Sequence, residues 1–251
     1  IVNDTVIIPN TVKTISPFAF TNCDVKYLSI PNSVTEICDS AFLSCESLEE
    51  VILPKDLKKI RNAVFQNCIN LKSVRMSDNI TEIMQLSFAN CSSLREINFS
   101  KKIKKIGFSA FYKCNYLDNI ILPESLEQID QMAFQECSSL KKLNMPINLK
   151  EIGNFAFLYC SNLENVNVNK KCQIIHDGVF DLCEKLNLNF ESSLFSYFDI
   201  NNVSSINILN ENIYNYNLNF LKKIQKEELI SNIYEKLFEN NKTYNLDKNS
   251  F

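Results

Sequence analysis

Ile30-Pro31-Asn32-Ser33-Val34-Thr35-Glu36-Ile37, continuing through Ala41, Phe42, Cys45 and Leu48, is one turn of a unit that recurs along the chain and decides its fold. Phenylalanines at Phe20, Phe42, Phe65, Phe88, Phe111, Phe134, Phe157 and Phe180 each stand three residues before a cysteine. Those cysteines, Cys23, Cys45, Cys68, Cys91, Cys114, Cys137, Cys160 and Cys183, are separated by one step of 22 residues and then by steps of 23. Isoleucines at Ile15, Ile37, Ile60, Ile83, Ile106, Ile129, Ile152 and Ile175 keep the same register. A period of this length marks a stacked-repeat architecture, because one such unit cannot bury its apolar side chains alone.

Within a unit, the alternation of Val51 and Leu53 predicts a short strand with every second side chain inward, and Pro54 ends it by removing a ladder donor. The spacing of three in Ala41-Phe42-x-x-Cys45 predicts one helical or 3₁₀ turn that drops Phe and Cys into the interior.

The unit resembles the BspA-like leucine-rich repeats, whose hallmark I-P-x-S-V-T-x-I-x-x-x-A-F-x-x-C-x-x-L is matched from Ile30 to Leu48. The resemblance covers about residues 5 to 190. Members of that family carry Gly after the repeat isoleucine. Here only Gly107 and Gly153 do, while Cys38, Arg61, Met84, Asp130 and His176 stand elsewhere, so this turn is not expected to need a positive φ in every unit. The resemblance implies a secreted or cell-surface protein of bacteria or some protozoa, associated with adhesion to host or matrix proteins.

The Phe and Cys columns stop after Cys183. The expected organisation is an α/β leucine-rich-repeat solenoid over residues 1–190, a right-handed superhelix with short parallel strands on its inner face and short helical or 3₁₀ turns. Residues 191–251 then form a cap with a helix at about 218–240, from the helical spacing of Leu218, Leu221, Ile224, Leu229, Ile233 and Leu237.

Composition narrows the function. A net charge of -3 and pI near 5.4 give no reason to expect nucleic acid or an anionic membrane as partner. No stretch reaches the roughly 20 apolar residues of a membrane helix. The chain starts on Ile1 without a signal-like segment and reads as a piece of a longer product, so compartment is not directly legible. With three glycines there is no phosphate-cradling loop, and no cofactor is expected. Sequons at Asn3, Asn79, Asn90, Asn98, Asn202 and Asn241 carry little weight in so Asn-rich a chain.

The column of eight inward cysteines reads as a ladder of small buried hydrophobes, each donating weakly to a carbonyl of the adjacent coil, and not as a disulfide framework. His176, the single histidine, sits in a mixed, solvent-facing column, so no Cys–His or Ser–His–Asp arrangement is expected. One histidine and no C-x₂-C pair leave no zinc set. Glu49, Glu50 and Glu96 occupy outward strand positions that are ordinarily polar. The expectation is a protein without catalysis.

Two surfaces remain. On the back, Lys58-Lys59, Thr81-Glu82, Lys104-Lys105, Glu127-Gln128 and Lys150-Glu151 tend to alternate in sign from unit to unit, which avoids repulsion between neighbours about 4.8 Å apart. On the inner strand face the outward columns vary: Ser29, Ile52, Arg75, Asn98, Ile121, Asn144 and Asn167, and beside them Glu50, Ser73, Glu96, Asn119, Lys142 and Asn165. Ile52 and Ile121 have no core duty in this register, and with Arg75 they match the mixed composition of partner surfaces. The expected partner site is therefore Ile52, Arg75, Asn98, Ile121, Asn144, Glu50, Glu96 and Lys142, with a protein as partner. An intracellular scaffold or regulatory subunit is the alternative.

Overall fold

The computed structural model describes residues 5–168, 172, 174–176, 178–190 and 205–208. Each coil spends its alternating segment on a first strand and its repeat isoleucine on a second. The first strands are β1 (Thr5–Val6), β3 (Tyr27–Ser29), β5 (Glu50–Ile52), β7 (Ser73–Arg75), β9 (Glu96–Ile97), β12 (Lys142–Asn144), β14 (Asn165–Val168), β16 (Asn187–Phe190) and β17 (Ser205–Ile208). The second strands are β2 (Thr14–Ile15), β4 (Glu36–Ile37), β6 (Lys59–Ile60), β8 (Glu82–Ile83), β10 (Lys105–Ile106), β11 (Gln128–Ile129), β13 (Glu151–Ile152) and β15 (Ile174–Ile175).

All pairings are parallel, and each joins equivalent strands of adjacent coils. The first ladder runs β1-β3-β5-β7-β9, crosses the coil containing Asn119 by isolated bridges to Glu96 and Lys142, and continues β12-β14-β16-β17. The second runs from β6 to β15, with β2 and β4 paired ahead of it. The result is a parallel-strand solenoid. Strand β17 extends the first ladder beyond the last Phe–Cys coil, with Leu188 opposite Ile206. The helix expected at 218–240, and the rest of 191–251 apart from β17, lie outside the described residues.

The turn holding Phe and Cys departs from the expected helical or 3₁₀ geometry. In every coil two residues take positive φ, one two places before the Phe and one just before the Cys: Ser40 (57°) and Ser44 (56°), Leu86 (57°) and Asn90 (61°), Met132 (58°) and Glu136 (61°). The cause is the stack. The amides between still bond three residues back, as Leu43 N does to Ser40 O at 3.1 Å, but Ser40, Phe42 and Ser44 donate to Asn62, Val64 and Gln66 of the next coil at 2.9, 3.0 and 2.8 Å. Satisfying the buried backbone between coils outweighs the cost of left-handed residues. The column holding Gly107 and Gly153 has no positive φ, as expected.

Inside, the rings from Phe20 to Phe180 stack face to face with centroids 5.0 to 5.6 Å apart. Each column thiol from Cys45 to Cys183 donates to the carbonyl of the Phe one coil earlier, as Cys114 does to Phe88 at 3.3 Å. All ten cysteines are unbridged. Among the described residues no helix is long and apolar enough to cross a membrane.

Candidate partner-binding face

The first ladder turns alternate side chains outward because its strands have a period of two while Leu28, Val51, Val74, Ile97, Leu143 and Val166 are buried beneath. Arg75, Glu96, Asn98, Ile121, Lys142 and Asn144 are exposed there, whereas Glu50 and Ile52 are only partly so. Ile52 stands directly opposite Ser29 on one side and Arg75 on the other. Ile121 is 87% exposed, the most exposed large apolar side chain described. The two isoleucines lie three coils apart, so Ile52 is a half-covered neighbour of Arg75 and Ile121 stands by itself among Asn98 and Asn144.

The ladder thins at this point. Regular coils are tied by bonds such as Ile30 N to Ile52 O (3.0 Å), Leu53 N to Arg75 O (3.0 Å) and Met145 N to Asn167 O (3.1 Å). The equivalent amides of Met76, Phe99 and Leu122 make no such bond among the described residues. Phe99 stands in this column, held elsewhere by Ile30, Leu53 and Leu122, with its ring packed edge-on against Phe111 at 5.7 Å. Beside this region Arg95 places its guanidinium 5.4 Å from the ring centre of Tyr116, itself 56% exposed. Neither residue figures in the sequence expectation, since 21 residues separate them and they belong to different columns.

A BspA type leucine rich repeat region, in six copies, matches residues 3–117 and 83–197. The chain belongs to the BspA-type leucine-rich repeats. This BspA-type solenoid is similar to a solved leucine-rich repeat protein of T. pallidum, with 26% identity over 72% of this chain and 77% of that one and a TM-score of 0.57. It shares its fold with a leucine-rich cell surface protein of Faecalibacterium prausnitzii, 20% identical over 78% of this chain and 64% of that one, TM-score 0.57. A leucine-rich repeat protein of Eubacterium ventriosum is likewise 20% identical, over 80% of this chain and 62% of that one, with a TM-score of 0.50. Among curated proteins there is no match.

The second ladder of the BspA-type solenoid carries a run of ion pairs between coils. Lys59 meets Glu82 at 2.7 Å, Lys105 meets Asp130 at 2.9 Å, and Glu127 receives Lys150 at 2.6 Å and Lys104 at 3.4 Å. Arg61 spans Glu36 and Asp39 of the preceding coil at 2.9 and 3.0 Å. His176 Nε2 lies 3.0 Å from Glu151 Oε1. The column thiols face inward, and burial pushes those of Cys114 and Cys160 well above the ordinary thiol value, which leaves them un-ionised and poor nucleophiles.

Proposed function

We propose that this solenoid is a non-catalytic protein-binding module that works through the outward side chains of its first ladder, as part of a secreted or cell-surface protein engaged in adhesion. The observation that carries the reading is the contrast between columns. Inward positions hardly change from coil to coil, while outward positions run from Ile52 through Arg75 and Asn98 to the 87% exposed Ile121, where packing leaves side-chain choice unconstrained. The printed name of the Faecalibacterium neighbour, a cell surface protein, supports the surface location. The family's association with surface adhesion, implied by the resemblance of its repeats, supports adhesion as the form of that binding.

An immobilised panel of extracellular matrix proteins, read by surface plasmon resonance, tests the face. Ile52, Arg75 and Ile121 changed together to Ser should leave circular dichroism unchanged and weaken the bound partner by more than about 1 kcal/mol. The control, Lys58, Glu82 and Lys104 changed to Ser, should keep the affinity. The reverse pattern refutes the assignment. The second reading, an intracellular scaffold, is favoured by the ten unbridged cysteines. Antibody staining of intact against permeabilised cells, using the full-length product, decides between the two.

A further inference from the structure

We propose that the segment bound by the first ladder is acidic and apolar, its carboxylates held by Arg75 and Arg95 and its apolar residue laid against Ile121; this rests on the ladder being the partner-binding face. The middle of that ladder, from β7 to β12 with the residues leading into each strand, exposes Arg75, Arg95, Lys141 and Lys142. None of the four has an ion pair among the described residues. Only Glu96 and Asp118 oppose them there. A chain of net charge -3 thus presents a net positive patch at one place on this face. A local field of the opposite sign to the whole protein selects an anionic partner and steers its approach.

The stack is able to pair its own charges, so leaving these unpaired is informative. Lys59, Lys105 and Lys150 all find carboxylates on neighbouring coils of the second ladder. On the first ladder Lys72 finds Glu49 at 2.6 Å. Arg95 occupies the same column one coil further on, with Asp118 one coil beyond it, and turns instead onto Tyr116. A guanidinium lying over a ring is held in place by its face while its N–H edge stays open for a bidentate carboxylate. Ile121 adds the apolar half of the recognition. At the margins, Glu50 in β5 and Glu164 ahead of β14 bound the positive zone and hold an acidic segment to its centre.

The test is selection of a random dodecapeptide phage library on the immobilised whole chain at low salt, followed by titration of the selected peptides in solution. The expected peptides combine Asp or Glu with Leu, Ile, Val or Phe. Their affinity should fall about fivefold or more on raising NaCl from 50 to 500 mM, since the Debye length shrinks several-fold. It should fall similarly on combining Arg75→Gln with Arg95→Gln, and also on Ile121→Ser alone. All three positions are exposed, and unchanged circular dichroism verifies that the variants fold. Peptides that respond to Ile121→Ser yet carry no acidic residues and ignore the arginine change overturn the acidic partner and leave the face assignment standing. Peptides indifferent to both changes, or no selected peptide at all, overturn the face as well. Salt-sensitive binding of heparin or single-stranded DNA without any acidic peptide overturns the proposal in favour of a polyanion.

Discussion

The thiol of Cys91 donates to the carbonyl of Phe65, one coil earlier, at 3.1 Å, and the same bond recurs from Cys45 on Phe20 to Cys183 on Phe157. Each of these thiols is thereby committed to a backbone acceptor. The expected outcome is ten free thiols when the protein is denatured without reductant and alkylated. In the native state iodoacetamide should modify only Cys38 and Cys23, which are partly exposed, because the other thiols are buried, and burial holds those of Cys91 and Cys114 un-ionised. Mass spectrometry of the two digests checks this. Disulfide-linked peptides joining column cysteines would contradict the ladder.

Position along the Phe stack should set the cost of losing a ring. Phe111 is fully buried, with Phe88 and Phe134 at 5.3 and 5.1 Å on its two faces and Phe99 at its edge. Phe20 is only partly buried and has one stacked neighbour among the described residues, Phe42 at 5.0 Å. Phe111→Ala should therefore destabilise by roughly 3–5 kcal/mol, whereas Phe20→Ala should mainly loosen the first coil. Urea unfolding of both variants, with hydrogen exchange on the second, distinguishes these outcomes. Equal, small losses would remove the stack from its structural role.

Much of this was legible in the residues because burial is written in side-chain type. The inward columns of Phe, Cys, Ile and Leu announce the coil, and the sign changes from Lys59 to Glu82 and from Lys104 through Glu127 to Lys150 coincide with ion pairs that form. The turn geometry was hidden, since left-handed backbone is occupied by residues as unlike as Phe18, Ser40, Leu86 and Met132 and leaves no compositional mark. The meeting of Arg95 with Tyr116 was hidden for another reason. It depends on a rotamer choice between two available partners, a carboxylate and a ring, which spacing does not decide.

The left-handed column offers a stabilising change that runs against the usual effect of glycine. Ala63 has φ of 54°, a region that costs an L-residue of this kind about 1–2 kcal/mol. Ala63→Gly removes that cost and adds chain entropy to the unfolded state, so a net gain of roughly 0.5–1 kcal/mol is expected. Ala110→Gly, at a fully buried position without positive φ, should lose about 1 kcal/mol. Denaturant midpoints of the two variants should move in opposite directions. Destabilisation by both would mean the turn is not left-handed at Ala63.

Gly153 is required for a different reason, the closeness of two coils. A Cβ there would lie 2.7 Å from the backbone carbon of Asp130 and closer still to the amide nitrogen of Gln131. Gly153→Ala should therefore force the coils apart, strain the 2.8 Å bond from Gly153 N to Ile129 O, and cost roughly 1–3 kcal/mol. The same column accepts Cys38, Arg61 and Met84, so residue type alone would predict no effect. A melting temperature unchanged by the substitution would show that the stack yields freely at this coil.

The ion pairs of the second ladder give the fold an acid limit with a definite sign. Burial tends to raise the carboxyl of Asp39, but hydrogen bonds from Arg61 and Asn62 outweigh it and leave the group below the ordinary carboxylate value. Glu127 is lowered by hydrogen bonds and charge from Lys150 and then Lys104. A carboxylate whose folded value is depressed stabilises the fold fully above its unfolded value, near ~4, and that contribution is lost as pH falls through the folded value. Urea midpoints should thus be flat from pH 7 to about 5 and decline below about 4. Arg61→Gln removes the strongest holder of Asp39 and Glu127→Gln removes the other titrating group, so the double variant should start lower at pH 7 and decline less steeply in acid. Because none of these groups is fully buried, 0.5 M NaCl should flatten the wild-type decline as well. Parallel pH profiles for wild type and double variant would show that acid unfolding is driven elsewhere, and these pairs would then be bystanders to the stability of the stack.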